Sequence, residues 1–124
     1  MPGKRILIVE DDEAIRKMEE RILDAAGYKV ATAGDAEEAW QLLEKEAPPD
    51  LCILDVMMPG QSGLELSKEI KAREELKAVP IIFVTARADA ESMNEGFKAG
   101  GILYLSKPFT SGKLLAMVKA VIGG

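Results

Sequence analysis

Five residues of this chain have types that packing does not ask for, and together they point to one chemistry. Asp55 closes the apolar run Leu51-Cys52-Ile53-Leu54. Asp11 and Asp12 come after Ile6-Leu7-Ile8-Val9, Thr85 follows Ile81-Ile82-Phe83-Val84, and Lys107 comes after Ile102-Leu103-Tyr104-Leu105. Carboxylates brought within a few ångströms repel one another, and such a cluster is stable with a cation. Every side-chain ligand on offer is an oxygen, which indicates Mg²⁺ rather than zinc. A carboxylate beside Mg²⁺ and a lysine suits covalent transfer. Asp55 would attack a phosphorus atom and become an acyl phosphate, with the metal and Lys107 stabilising the transferring oxygens. Thr85 would hydrogen-bond a phosphoryl oxygen, and Ala86 is small enough to let the group enter. Each acid taken alone is equally a helix cap.

These residues act together only if the fold gathers them. Short apolar runs alternate with segments of helical spacing, strand then helix, five times over. Strands are expected over 4–9, 28–32, 51–54, 79–84 and 102–105. The second is the most polar and belongs at an edge. The first helix carries Ile15, Met18, Ile22 and Leu23 on its apolar face, with Arg16, Lys17, Glu19 and Glu20 between them. Trp40 reads as a core anchor of the second helix. Gly63 opens the third, whose charged end, 71–77, reads as solvated. The fourth, 89–98, has few apolar anchors besides Met93 and Phe97. Ser111 is expected to cap the fifth. Right-handed crossovers place helices on both faces of a parallel sheet, an open three-layer α/β/α sandwich. Ligands in such folds bind at the C-terminal ends of the strands, where the five residues fall.

Composition narrows the alternatives. The chain has 124 residues, enough for one domain. A net charge of −5 argues against direct nucleic-acid binding, which needs clustered Lys and Arg. The single cysteine, Cys52, excludes an internal disulfide and reads as a buried small hydrophobe. No apolar run is long enough for membrane insertion, and the expected location is cytoplasmic. A nucleotide or flavin module would carry Gly, Ser or Thr after the first strand. Here that loop is Glu10-Asp11-Asp12-Glu13, which repels phosphate without a metal. An aspartate-nucleophile phosphatase needs a second acid two residues after its nucleophile, and position 57 is Met.

The motifs Ile8-Val9-Glu10-Asp11-Asp12, Asp55-Val56-Met57-Met58-Pro59 with Gly63, Val84-Thr85-Ala86 and Tyr104-Leu105-Ser106-Lys107-Pro108-Phe109 give the chain a strong resemblance to one family. It resembles the receiver domain of bacterial two-component response regulators, including the single-domain chemotaxis regulator, over essentially its whole length. The resemblance implies a flavodoxin-like sheet in the order 2-1-3-4-5 and one receiver domain over residues 1–124. It implies Asp55 as phosphoacceptor, with slow hydrolysis of the aspartyl phosphate. Asp12 and Asp55 would hold Mg²⁺ by side chains and Met57 by its carbonyl, with Asp11 acting through water. Lys107 would pair with the phosphoryl group, Thr85 would be the switch hydroxyl, and Tyr104 would turn from exposed to buried. Pro108 would follow a cis bond that shapes the Lys107 loop.

The implied partners are a sensor histidine kinase or histidine phosphotransfer protein as donor, and an output protein bound by helix four, strand five and helix five. Dimerisation on phosphorylation is a further expectation. So is a longer response regulator whose DNA-binding or enzymatic output lies outside this chain, and the alternative is a contact-only receiver. Met57 is apolar and Arg87 basic at two places flanking the path of attacking water. Both are expected to lengthen the phosphorylated lifetime.

Overall fold

The computed structural model describes residues 3–86 and 90–123. Its elements in order are β1 (Arg5–Val9), α1 (Glu13–Ala25), β2 (Lys29–Ala33), α2 (Ala36–Lys45), β3 (Leu51–Asp55), α3 (Gly63–Ala72), β4 (Ile81–Thr85), α4 (Ala90–Lys98), β5 (Leu103–Ser106) and α5 (Ser111–Ile122). The strands form one parallel sheet, β2-β1-β3-β4-β5. This is the flavodoxin-like α/β/α architecture expected from the alternation and the resemblance.

Side chains alternate across each strand, so the sheet has two apolar faces. Leu7, Val9, Cys52, Leu54, Ile81 and Phe83 pack with Ala39 of α2, Leu66 and Ile70 of α3, and Ala99 after α4. Ile6, Ile8, Ile53, Ile82 and Val84 pack with Leu23 of α1 and Leu114 and Val118 of α5. β3 and β4 are buried along their whole length, while β2 is half-exposed at its edge. Among the described residues, no helix is long and apolar enough to cross a membrane.

Side-chain caps start the helices. Asp12, Asp35 and Ser62 accept from backbone N–H groups three residues on, and Ser62 forms a reciprocal box with Glu65. The fifth helix is capped by Thr110, not by Ser111 as its sequence suggested. Thr110 is extended and its hydroxyl oxygen accepts from Lys113 N at 3.1 Å, which makes Ser111 the first helical residue.

Other expectations need correction. The strand expected over 79–84 begins at Ile81, and the Pro80 carbonyl accepts from Cys52 N at 3.0 Å. The segment 71–77 is not wholly solvated. Leu76 is buried, and the Lys71 ammonium donates to the Lys77 and Val79 carbonyls. Trp40 packs against the core as expected, but only half-buried, and it also works as a clasp. Its Nε1 donates to Glu69 at 3.0 Å, and the Arg73 guanidinium lies 4.6 Å above the ring, joining α2 to α3. Phe97 is exposed and does not anchor α4.

Candidate functional site

Parallel register gathers the site. Val9 pairs with Leu54, Asp55 with Val84, and Thr85 with Ser106. The exits of β1, β3, β4 and β5 therefore share one edge. Lys107 N donates to the Thr85 carbonyl at 2.7 Å, which carries the lysine to that edge. The Lys107–Pro108 bond is cis, as the resemblance implied.

Three carboxylates converge there. Glu10, Asp11 and Asp55 each offer an oxygen within 4.8 Å of the others. The Lys107 ammonium lies 2.7 Å from Glu10 Oε1 and 3.4 Å from Asp55 Oδ2. The backbone fixes the acids from other sides. Met57 N donates to Asp55 Oδ1 at 3.3 Å, and Asp12 N donates to Glu10 Oε2 at 3.2 Å. Arg16 Nη1 donates to the Glu10 carbonyl at 2.9 Å. Glu10 and Asp55 are buried, whereas Asp11 is exposed.

This set differs from the expected ligands by one residue. Asp12 was expected to ligate directly, but its carboxylate is not in the cluster. Asp12 Oδ1 accepts from Ile15 N at 3.1 Å and caps α1. Glu10, which no sequence argument placed in the site, takes the inner position. β1 ends at Val9, so the turn begins at Glu10 and the inward acidic pair is Glu10-Asp11.

The other expected residues fall into three groups. Thr85 is buried at the end of β4, and Ala86 follows it exposed. Tyr104 is buried, with its ring 6.1 Å from that of Phe83, so it is in the inward setting. Met57 is 58% exposed beside Asp55, and Pro108 is exposed after Lys107. Arg87 lies outside the described residues.

Electrostatics follow from burial. The Asp55 carboxyl is pushed well above the usual carboxylate range, first by burial and then by Glu10, with Lys107 pulling the other way. For Lys107, burial disfavours the charge, but Glu10 and Asp55 outweigh it and hold the ammonium above its ordinary value. A fourth acid was read as a surface residue between apolar positions and is not one. Glu19 is 1% exposed, and its carboxyl is raised to about 8 by burial first and by the Glu10 charge second. Its spacing of four from both Ile15 and Leu23 was the available signal.

The donor set fits Mg²⁺. Three hard carboxylates face one ammonium, and a divalent cation would offset the burial and the repulsion that together raise Asp55.

Comparisons with known proteins agree with this geometry. A family model described as the response regulator receiver domain matches residues 6–119. The phosphate regulon transcriptional regulatory protein PhoB of Pseudomonas aeruginosa is 38% identical over 98% of this chain and 53% of its own length. The transcriptional regulatory protein YrkP of Bacillus subtilis is 46% identical over 94% of this chain and 48% of its own. The chain thus spans about half the length of these curated relatives. Among solved structures, the Vibrio cholerae chemotaxis protein CheY4 superposes with a TM-score of 0.91 at 34% identity, covering 96% of this chain and 98% of that one. The receiver domain of a Pseudomonas aeruginosa sensor histidine kinase, described with magnesium coordinated in its active-site cleft, gives 0.88 at 32% identity, covering 98% and 99%.

Proposed function

The chain belongs to the response regulator receiver domain family, and from that premise we propose that it is a phosphorelay switch whose acceptor is Asp55. One observation carries the residue assignment. Asp55 is the carboxylate that sits at once in the three-acid cluster, against the Lys107 ammonium and against the Met57 amide.

In the proposed reaction an Asp55 oxygen attacks the phosphorus of a phosphohistidine. The O–P bond forms as the N–P bond breaks, and the imidazole leaves with the bonding pair and takes up a proton. The donor is a partner kinase or phosphotransfer protein, since this chain has no histidine. Mg²⁺, held by Glu10, Asp11 and Asp55 together with the Met57 carbonyl, would supply charge stabilisation for the transferring oxygens. Lys107 exchanges its contact with Asp55 for one with the phosphoryl group, and Thr85 donates its hydroxyl to a phosphoryl oxygen. The added charge then favours one of two arrangements of the face formed by α4, β5 and α5, which binds the output partner. Residues of a longer protein would supply any DNA contact.

Intact mass after incubation with a small phosphodonor tests this reading. A Mg²⁺-dependent gain of about 80 Da, absent with EDTA and in Asp55→Ala, is the expected result. A gain that persists in Asp55→Ala would remove Asp55 from the reaction.

The Met57 side chain offers attacking water no hydrogen bond. Met57→Asn is expected to shorten the phosphorylated lifetime about tenfold, the worth of roughly 1.4 kcal/mol of water positioning. Equal decay rates for the two proteins, followed by mass, would show that position 57 does not govern hydrolysis.

A further inference from the structure

α4 approaches β5 more closely than a side chain at the contact would allow. A Cβ on Gly96 would stand 2.7 Å from Tyr104 Cε2, 3.0 Å from Tyr104 Cδ2 and 3.1 Å from Phe83 Cδ2. Gly96 does not have a positive φ, so its backbone is open to any residue. Glycine in a helix interior is otherwise a disadvantage. What position 96 requires is therefore space alone.

The surroundings decide which group would yield to a side chain there. Phe83 forms the far wall of the ring, at a centroid distance of 6.1 Å. Phe83 has no room to retreat, being fully buried with Gly101 so close that a Cβ there would meet its Cε2 at 2.4 Å. The C-terminal end of α4 is tied down as well. Ser67 Oγ donates to the Ala99 carbonyl at 2.6 Å, and Gly101 N donates to the Gly96 carbonyl at 3.0 Å. Of the two rings Tyr104 is the one at the margin, on an edge strand and 9% exposed where Phe83 is 0%, so a change of its χ1 rotamer is the easier adjustment.

We infer that Gly96 is the positioning residue for Tyr104: the absent side chain is the berth of the ring, so the seating of α4 and the inward ring are a single coupled state. The link to the acceptor site runs through the sheet. Phe83 pairs with Tyr104 and Thr85 with Ser106, so Tyr104 and Thr85 are diagonal neighbours on one face. Moving the ring changes what surrounds Thr85. The consequence for phosphorylation rests on the proposed role of Asp55, whereas the berth itself does not.

The test uses fluorotyrosine in place of both tyrosines, read by fluorine NMR. Tyr28 is the internal reference, held by its hydroxyl donating to the Gly123 carbonyl at 2.6 Å. In Gly96→Ala the Tyr104 signal is expected to move to the solvent-exposed position while Tyr28 stays. An unmoved Tyr104 signal overturns the inference. Thermal denaturation gives a second, independent reading. Gly96→Ala should lower Tm with Tyr104 present and lower it much less in a Tyr104→Ala background, where only the 3.1 Å approach to Phe83 Cδ2 is left to oppose the gain in helix propensity. An equal loss in both backgrounds overturns the inference. With a phosphodonor at subsaturating concentration, Gly96→Ala should accumulate at least about fivefold less phosphorylated protein. Equal accumulation overturns the coupling to the site. If the wild type itself gains no phosphoryl group, the Asp55 reading fails, and the fluorine signal still decides the role of Gly96.

Discussion

Gly63→Ala will cost the fold roughly 2–4 kcal/mol and will disable the acceptor loop. A Cβ at this position would stand 2.1 Å from the Asp55 carbonyl oxygen, 2.9 Å from its carbon and 3.2 Å from Val56 Cα. All three are backbone atoms at the exit of β3, so no side chain can turn aside. Gly63 N also donates to the Val56 carbonyl at 3.0 Å, which draws the first turn of α3 onto that exit. Relief requires either lifting α3 off its Ser62–Glu65 box or displacing the Asp55 backbone. Either route moves the acceptor relative to Lys107. Gly60 in the same loop supplies the contrast. Its φ is +77, but a Cβ there meets nothing within 4 Å. Gly60→Ala should cost only the left-handed backbone penalty, about 1 kcal/mol. Denaturant midpoints and phosphoryl uptake measure both variants. Gly63→Ala with wild-type stability and uptake would show that the close approach is not required.

The contrast between these glycines marks how far the sequence could be read. Apolar runs alternating with helical spacing specify a parallel three-layer fold, because buried strands need helices on both faces and five units are too few to close an eight-stranded barrel. Asp55, Thr85 and Lys107 were legible because each follows an apolar run in which its own type has no packing role. The choice among Glu10, Asp11 and Asp12 was not legible. The strand end at Val9 was read correctly, but three adjacent acids look alike in composition, and only the backbone of the turn shows that Asp12 is drawn off to cap α1. The cap of α5 slipped for the same reason, since Thr110 and Ser111 have equivalent hydroxyls and only backbone geometry separates them. Lys71 and Leu76 were misread because the surrounding charges suggested solvent. An ammonium on a long stem can reach two carbonyls and leave its methylenes against the core. Trp40 keeps its indole N–H at the surface for Glu69, so its size was a poor guide to depth.

Glu19→Gln is expected to stabilise the protein by on the order of 3 kcal/mol at neutral pH and to change nothing below about pH 4. Glu19 occupies the buried stripe of α1, where its Oε2 has no hydrogen-bond partner among the described residues. Burial raises its carboxyl from 4.5 to about 8, the charges of Glu10 and Asp55 add to the rise, and Lys107 opposes it. The folded state therefore holds this proton more tightly than the unfolded chain does. Stability from this group is complete below the unfolded value, falls by about 1.4 kcal/mol per pH unit between 4.5 and 8, and is flat above. Gln stays neutral throughout and removes that slope. Glu19→Leu should gain more, because it also removes the unpartnered oxygen. Asp55 adds a slope of the same sign, so wild type and Glu19→Gln must be compared pH by pH, by denaturant unfolding. Parallel curves between pH 5 and 8 would show that Glu19 carries no excess proton. The gain should shrink when Mg²⁺ is bound, since a divalent cation beside Glu10 and Asp55 lowers the cost of ionising Glu19. A helix that would be more stable with Gln or Leu thus keeps a carboxyl within electrostatic reach of Asp55 and Lys107. That places the stability cost next to the proposed acceptor site, whose charges Glu19 feels.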